Sequence, residues 1–322
     1  MKKFSSRICI LLFIICLCAT TAFATTTLVP GGQVIGLQLC DDTVTVTDFD
    51  ETLGQAARSA GLAKGDRILK IDNTPITCAE DIRKALICSD GQVDIAIRRG
   101  EKTKTLSLCP AVTADGPRLG VYLRQGTTGL GTVTYYDPNS GDIAALGHGV
   151  NTPDGSLLTM KTGSLFPARI FSVKKGKAGA PGQLLGSVTD PKPLGPLATN
   201  TNQGVFGKTE TPISGVPLPI AKAEEVKTGA ATIRSTVDGA ALREYSVEIL
   251  KIYPNTTGRT RNLLLKVTDQ ALLETTGGIV QGMSGSPIIQ DGKLIGAVTH
   301  VLVNDPTMGY GIFIENMLDA AA

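Results

Sequence analysis

From about Leu119 onward, short apolar runs alternate with Gly, Pro and Thr-Gly turns, and helical periodicity is scarce. A chain punctuated this way buries its apolar faces as many short antiparallel strands, in a barrel or a sandwich. Residues 132–136, 168–173, 246–252 and 262–267 read as strands. The stretch 176–219 is so rich in Gly, Pro and Thr that the pattern places no strand in it. Over the whole chain, 37 Gly, 17 Pro and an aromatic share of 4% point the same way, to a mainly β protein with many turns.

The 322 residues fit two modest domains, and the texture changes near Asp115-Gly116-Pro117. Ahead of that point, 34–39 reads as a strand, 56–61 as a short turn of helix, 67–71 as a second strand and 81–86 as helical. Residues 93–98 and 103–108 alternate as a hairpin around Arg99-Gly100. This order resembles a PDZ domain over residues 28–112; Ala60-Gly61-Leu62, Gly65-Asp66, Ile68-Leu69, Ile71 and Ile76 carry the likeness. The resemblance implies an α+β domain that takes an extended peptide or a free C-terminus as an added strand, its carboxylate held by loop amides. Ile35, Gly36 and Leu37 would be that loop and strand. Otherwise the groove is a packing surface for the neighbouring domain.

The first 24 residues read as an export segment. Lys2, Lys3 and Arg7 precede an unbroken apolar run from 8 to 18, and Ala22-Phe23-Ala24 fits a small-x-small cleavage site. The run is short for a span, which needs about 20 residues, yet counted through Ala24 it leaves an uncleaved membrane anchor open. Of seven cysteines, four lie beyond this segment: Cys40, Cys78, Cys88 and Cys109. Their spacing matches no zinc or redox pattern, so they read as buried thiols or as disulfide partners. Lys+Arg at 31 against Asp+Glu at 29 gives no basic surface for nucleic acid. Gly207-Lys208-Thr209 lacks the first glycine of a phosphate loop, and the glycines between 126 and 131 do not match the dinucleotide fingerprint. His148 and His300, the only histidines, are too far apart in sequence to suggest a metal site, so no metal or cofactor is expected.

The chemistry gathers at Gly282-Met283-Ser284-Gly285-Ser286-Pro287. A nucleophilic hydroxyl needs a tight turn that exposes its oxygen and backbone amides that hold an oxyanion. The glycines permit the turn, and the amides of Gly282 and Ser284 can point into one cavity. A hairpin around Asp291-Gly292 follows. The pattern resembles the nucleophile region of chymotrypsin-like serine proteases, against a plain glycine-serine turn. His148, in the glycine-flanked loop Gly147-His148-Gly149, precedes the serine as the general base of that class does. Thr299, His300 and Val301 match the strand on which the class lays its substrate; His300 is a cleft wall or simply a strand residue. Gly278, six positions before Ser284, falls where trypsin-like members carry an acidic pocket floor, so no selection for Lys or Arg is expected through it.

Ala144-Ala145-Leu146-Gly147-His148-Gly149, the closing run from Gly278 to the end, and the N-terminal PDZ pattern together resemble the SpoIVB peptidase family, stage IV sporulation protein B. The resemblance implies a PDZ domain before a chymotrypsin-like antiparallel double β-barrel over 117–322. It implies secretion into the space between forespore and mother cell, self-cleavage, and cutting of a membrane-associated regulator of an intramembrane protease, which releases a late sigma factor. The family's acidic triad member maps to Asp269, fifteen positions before Ser284; Asp154, Asp190 and Asp238 also lie between His148 and Ser284. The competing class is a PDZ-bearing binding protein whose protease-like half is inert.

Overall fold

The computed structural model describes residues 26–153, 155–255 and 258–321. The expected export segment lies outside the described residues. The chain opens with β1 (Thr27–Pro30) and the long β2 (Val34–Phe49). Next come α1 (Gln55–Ser59), β3 (Arg67–Ile71), β4 (Thr74–Pro75), α2 (Ala79–Ile87), the hairpin β5 (Val93–Arg99) and β6 (Lys102–Leu108), and the small hairpin β7 (Ala111–Thr113) and β8 (Gly116–Arg118). A second long strand, β9 (Val121–Tyr136), runs back antiparallel to β2 along its whole length. After it come β10 (Asp142–Ala145), β11 (Thr162–Lys174), β12 (Gln183–Val188), β13 (Gly195–Thr201), β14 (Gly204–Lys208) and β15 (Leu218–Pro219). The C-terminal part holds β16 (Gly229–Asp238), β17 (Ala241–Ile252), β18 (Leu263–Val267), α3 (Gln270–Thr276), β19 (Pro287–Gln290), β20 (Lys293–Leu302), β21 (Asp305–Phe313) and α4 (Ile314–Ala321).

These strands close two six-stranded rings. The order β9-β10-β14-β13-β11-β2 is closed by the β2–β9 pairing, and β16-β17-β18-β21-β20-β19 is a closed barrel. Closure leaves no unpaired edge around either ring. The expected mainly β architecture, an α+β PDZ domain with an antiparallel double barrel, is what the molecule has. Each ring has its own core: Ile35, Leu37, Val133, Leu165 and Val205 fill the first, and Ile233, Val247, Leu265, Ile288 and Val298 the second.

The domain order differs from the sequence reading. The PDZ module is an insertion in the first barrel, not a preceding domain. Its core, built on Val44, Val46, Ile68, Ile71, Ile95 and Ile97, starts only in the second half of β2 and ends as β9 begins. Residues 28–39 belong to the catalytic half. Ile35, Gly36 and Leu37 are therefore not a peptide-binding edge: β9 pairs with one side of them and β11 with the other. With both sides taken, no strand can be added there. Gly65-Asp66 proves to be a structural pin. Asp66 is fully buried and accepts two 2.6 Å bonds from the Arg99 guanidinium, a charge-assisted fork that ties the α1–β3 turn to β5. All four described cysteines are free; Cys40 and Cys78 are half-buried, and Cys88 and Cys109 are exposed, so neither the buried-thiol nor the disulfide reading holds. No described helix is long and apolar enough to cross a membrane.

Candidate active site

A cavity of about 710 Å³ opens between the barrels, with His148 and Ser284 both on its wall. The Ser284 turn owes its shape to glycine. Gly282 and Gly285 hold φ of +101° and +97°, a region side chains rarely adopt. At Gly285 a Cβ would also lie 2.1 Å from the Thr132 carbonyl oxygen. Thr132 is the clamp here: its N–H donates to the Ser284 carbonyl at 3.1 Å and its hydroxyl to the Gly282 carbonyl at 2.8 Å. Its own carbonyl accepts the Leu146 amide at 3.2 Å. One buried residue of the first barrel thus fixes both the Ser284 turn and the loop that carries His148.

The direction of the two oxyanion amides follows from peptide planarity. In a trans peptide the N–H points away from the preceding C=O. The Gln281 carbonyl accepts the Leu184 amide at 2.8 Å, and the Met283 carbonyl accepts the Ser286 amide at 3.0 Å. The N–H groups of Gly282 and Ser284 are turned the other way, and among the described residues neither donates to a protein acceptor. Two unspent amides beside a serine are what an oxyanion requires.

His148 follows a tight turn in which Leu146 and Gly147 have φ of +73° and +68°. The loop beyond it is anchored by Asn200. That side chain accepts from the Val150 amide and donates to the carbonyls of Val150 and Leu158, all at 2.8–2.9 Å. The ring's Nδ1 lies 2.9 Å from the Gly149 carbonyl oxygen. A carbonyl can only accept, so Nδ1 carries the proton and Nε2 keeps its lone pair, the tautomer a general base needs. Burial holds the His148 pKa below the ordinary histidine value, opposed by the Gly149 carbonyl. The ring is therefore neutral at neutral pH. In this arrangement the Ser284 hydroxyl donates to the Thr299 carbonyl at 2.8 Å, and a rotation about its Cα–Cβ bond carries it from there towards the cavity.

Thr299, His300 and Val301 line the same cavity, on the stretch of β20 where β19 pairing has ended. A register shift between Val298 and His300 breaks the simple alternation expected along that strand. The His300 ring centre is 5.1 Å from that of His148, and its buried Nδ1 has no partner among the described residues. Burial, with His148 and Arg261 nearby, pushes the His300 pKa down to about 4. Gly278 does not line the cavity. Its backbone is pressed against β21, where a Cβ would lie 2.1 Å from the Pro306 carbonyl oxygen, so the neighbouring Ile279 and Val280 form that wall instead. Apart from the two histidines, no ionisable side chain is among the described lining residues.

Asp269 is not brought to His148. Its carboxylate accepts the Leu272 amide at 2.9 Å and the Ser246 amide at 3.3 Å, capping α3 in the second barrel. Among the described residues no carboxylate touches His148. Asp190 is bonded to Lys192 in an exposed turn and Asp238 ends β16 without lining the cavity; Asp154 lies outside the described residues. Asp269→Ala is therefore expected to cost about 1 kcal/mol of stability, the worth of a helix cap, with kcat of the folded protein changed no more than a few-fold. Chemical denaturation and steady-state kinetics on the same preparation check it, and a kcat loss as deep as that of a catalytic-serine variant would refute it.

Sequence reasoning missed Thr132, Asn200 and the groove of the PDZ module. That groove, about 330 Å³, lies between α2 and the stretch Leu119-Gly120-Val121-Tyr122-Leu123. Among the described residues only β2 pairs with β9 there, so the edge facing α2 is open. The missed signal was Leu119-Gly120-Val121, the same apolar-Gly-apolar pattern as Ile35-Gly36-Leu37, with Gly120 at φ +64°.

Among solved structures, the chain is similar to the inactive form of Rv3671c protease, with a TM-score of 0.34 and 15% identity over 59% of this chain and 81% of that one. The active form of Rv3671c protease from M. tuberculosis gives 0.37 and 15% over 60% and 72%. No curated protein sequence matches the chain. Residues 52–99 match the PDZ domain. A further match, to SpoIVB peptidase S55, runs over residues 116–318, more than half of the chain. That stretch contains every described residue lining the cavity that His148 and Ser284 share except Leu37 and Leu39, which β2 lends from upstream. The chain therefore belongs to the SpoIVB peptidase S55 family and is a serine endopeptidase.

Proposed function

We propose that Ser284 is the nucleophile and His148 the general base of this peptidase. The observation that carries the reading is the shared cavity: a serine, a histidine in the base tautomer and the Gly282–Ser284 turn with its two unspent amides all line it. Ser284 Oγ attacks the scissile carbonyl carbon and its proton passes to His148 Nε2. The amides of Gly282 and Ser284 hold the resulting oxyanion. The C–N bond then breaks, His148 gives its proton to the leaving amine, and water hydrolyses the acyl-enzyme by the same steps in reverse roles. The Gly149 carbonyl, not a carboxylate, fixes the imidazole orientation. An uncharged, apolar wall at Ile279 and Val280 favours an apolar residue before the scissile bond.

The substrate is a protein presented at a membrane, a regulator of an intramembrane protease, and the protein also cuts itself in the course of sporulation signalling. Family membership supports this role, and the basic-then-apolar N-terminal segment supports export to the space between forespore and mother cell. The PDZ groove beside Leu119-Gly120-Val121 takes an extended peptide or a C-terminus as an added strand.

A fluorophosphonate probe tests the catalytic reading. Labelling of the wild type that vanishes in Ser284→Ala is expected; folded protein that takes no label would support the inert binder. Because burial depresses the His148 pKa, the base remains neutral below the usual histidine value of about 6.5. The labelling rate should hold its plateau below that pH and fall only on further acidification. A rate already halved above pH 7 would contradict it.

A further inference from the structure

A second cavity, of about 740 Å³, lies beside the catalytic one. The two share Leu37, Gly129, Leu130, Gln281 and Gly282, so they form one continuous trough that passes over the oxyanion turn. They differ in their far walls. The catalytic cavity is bounded by Thr299, His300 and Val301 of β20, and the second cavity has none of these. Its far side is Phe166, Phe171, Leu184, Leu185, Val188 and Pro191, with no charged side chain among the described lining residues. Phe171, at 70% exposed, and Val188, at 44%, stand open to solvent.

We infer that this trough is the subsite for the leaving half of the substrate, and that it selects an extended, apolar segment immediately C-terminal to the scissile bond. The inference rests on the catalytic reading above and extends it. The free stretch of β20 pairs with the acyl half of the substrate. The scissile carbon sits at Ser284 with its oxygen on the Gly282 and Ser284 amides. The substrate backbone leaving that point away from β20 crosses Gln281 and Gly282 and enters the second cavity. Exposed Phe171 and Val188 gain from burial only if apolar side chains cover them, because the hydrophobic gain scales with apolar area removed from water.

The trough is also wired to the chemistry. Gln281 is held on both sides by the β12 segment: its N–H donates to the Gly182 carbonyl at 2.9 Å and its C=O accepts the Leu184 amide at 2.8 Å. That second bond sets the direction of the Gly282 N–H. A segment seated against Leu184 braces the oxyanion amide, so part of its binding energy is realised only as the oxyanion forms, in the transition state and not in the ground state. The leaving-side residues are expected to raise kcat as well as lower KM.

Three substrates with one acyl half test this. The first ends at the scissile bond in an activated ester. The second continues with Val-Leu-Val and the third with Ser-Gly-Ser. In the wild type, kcat/KM for the Val-Leu-Val peptide should exceed that for Ser-Gly-Ser by about tenfold or more, the effect of covering one to two apolar side chains. In Phe171→Asp and in Val188→Asp the ratio of the two peptides should fall toward one. Both sites are solvent-exposed, and the ester rate in each variant normalises for any loss of active enzyme. A wild-type ratio near one, with the ester still hydrolysed, overturns the subsite and leaves the catalytic reading standing. Failure of the wild type to hydrolyse the ester at all removes the catalytic reading, and the subsite with it.

Discussion

Ser284→Ala should lower kcat on a peptide substrate by roughly four orders of magnitude or more, and His148→Ala should do nearly the same. In the proposed mechanism the serine supplies the bond-forming oxygen, and the histidine moves a proton in each half of the reaction. Because the two act as one unit, the double variant should be scarcely slower than either single one. What remains is the oxyanion site and substrate binding. His300→Ala is the informative contrast. Its ring lies against His148, but its buried Nδ1 has no partner among the described residues to fix the tautomer, so on the proposed reading it serves as a cleft wall rather than as the proton carrier. Its loss should appear mainly in KM. Steady-state kinetics on the four purified proteins settle the assignment. Near-normal turnover in His148→Ala, or a kcat collapse in His300→Ala, would transfer the base role to His300.

The second large effect is expected from a residue that touches no substrate. Gly285→Ala places a methyl group 2.1 Å from the Thr132 carbonyl oxygen and 2.5 Å from the Leu146 amide nitrogen, in a backbone conformation that L residues avoid. The only relief is to push the nucleophile turn away from the first barrel. That movement breaks the Thr132 clamp and separates Ser284 from the histidine loop. A displacement near 1 Å in a catalytic group can cost about a hundredfold in rate, so kcat should fall by at least that much. Thr132→Val, which removes only the 2.8 Å hydroxyl bond to Gly282, should show a smaller loss in the same direction, with Thr132→Ser restoring it. Stability measured alongside separates this from unfolding. A Gly285→Ala protein with wild-type kcat would show that the turn is not held in the way described.

What the sequence made legible was local. The Gly-Met-Ser-Gly turn, the glycine-flanked His148, and the hairpin β19–β20 each lie within a few residues and carry their pattern openly. The strands of the PDZ module were equally plain: Ile95 and Ile97 alternate, and Ile68 and Ile71, on either side of a register shift, face the same core. What stayed hidden depends on contacts far apart in sequence. Thr132 reaches Gly282 across 150 positions, and nothing about a threonine in a β run announces that. Asp269 enters the triad by likeness alone; its position before α3 is also that of a helix cap, and the capping bonds hold it there. The domain boundary was invisible because it falls inside two strands. β2 and β9 each serve the barrel with one half and the PDZ module with the other, so composition does not change where the domains do.

That shared ribbon has a topological consequence. The polypeptide leaves the first barrel on β2 and re-enters it on β9, and those two strands are hydrogen-bonded neighbours from Val34–Thr132 to Phe49–Val121. The PDZ module is a closed excursion from one point of the barrel wall. A cut anywhere in its loops severs the covalent backbone but frees neither end, since each remains stitched into the same sheet. Such a nick would split the polypeptide on a denaturing gel while the native particle stayed whole, with Thr132 still seated under the nucleophile.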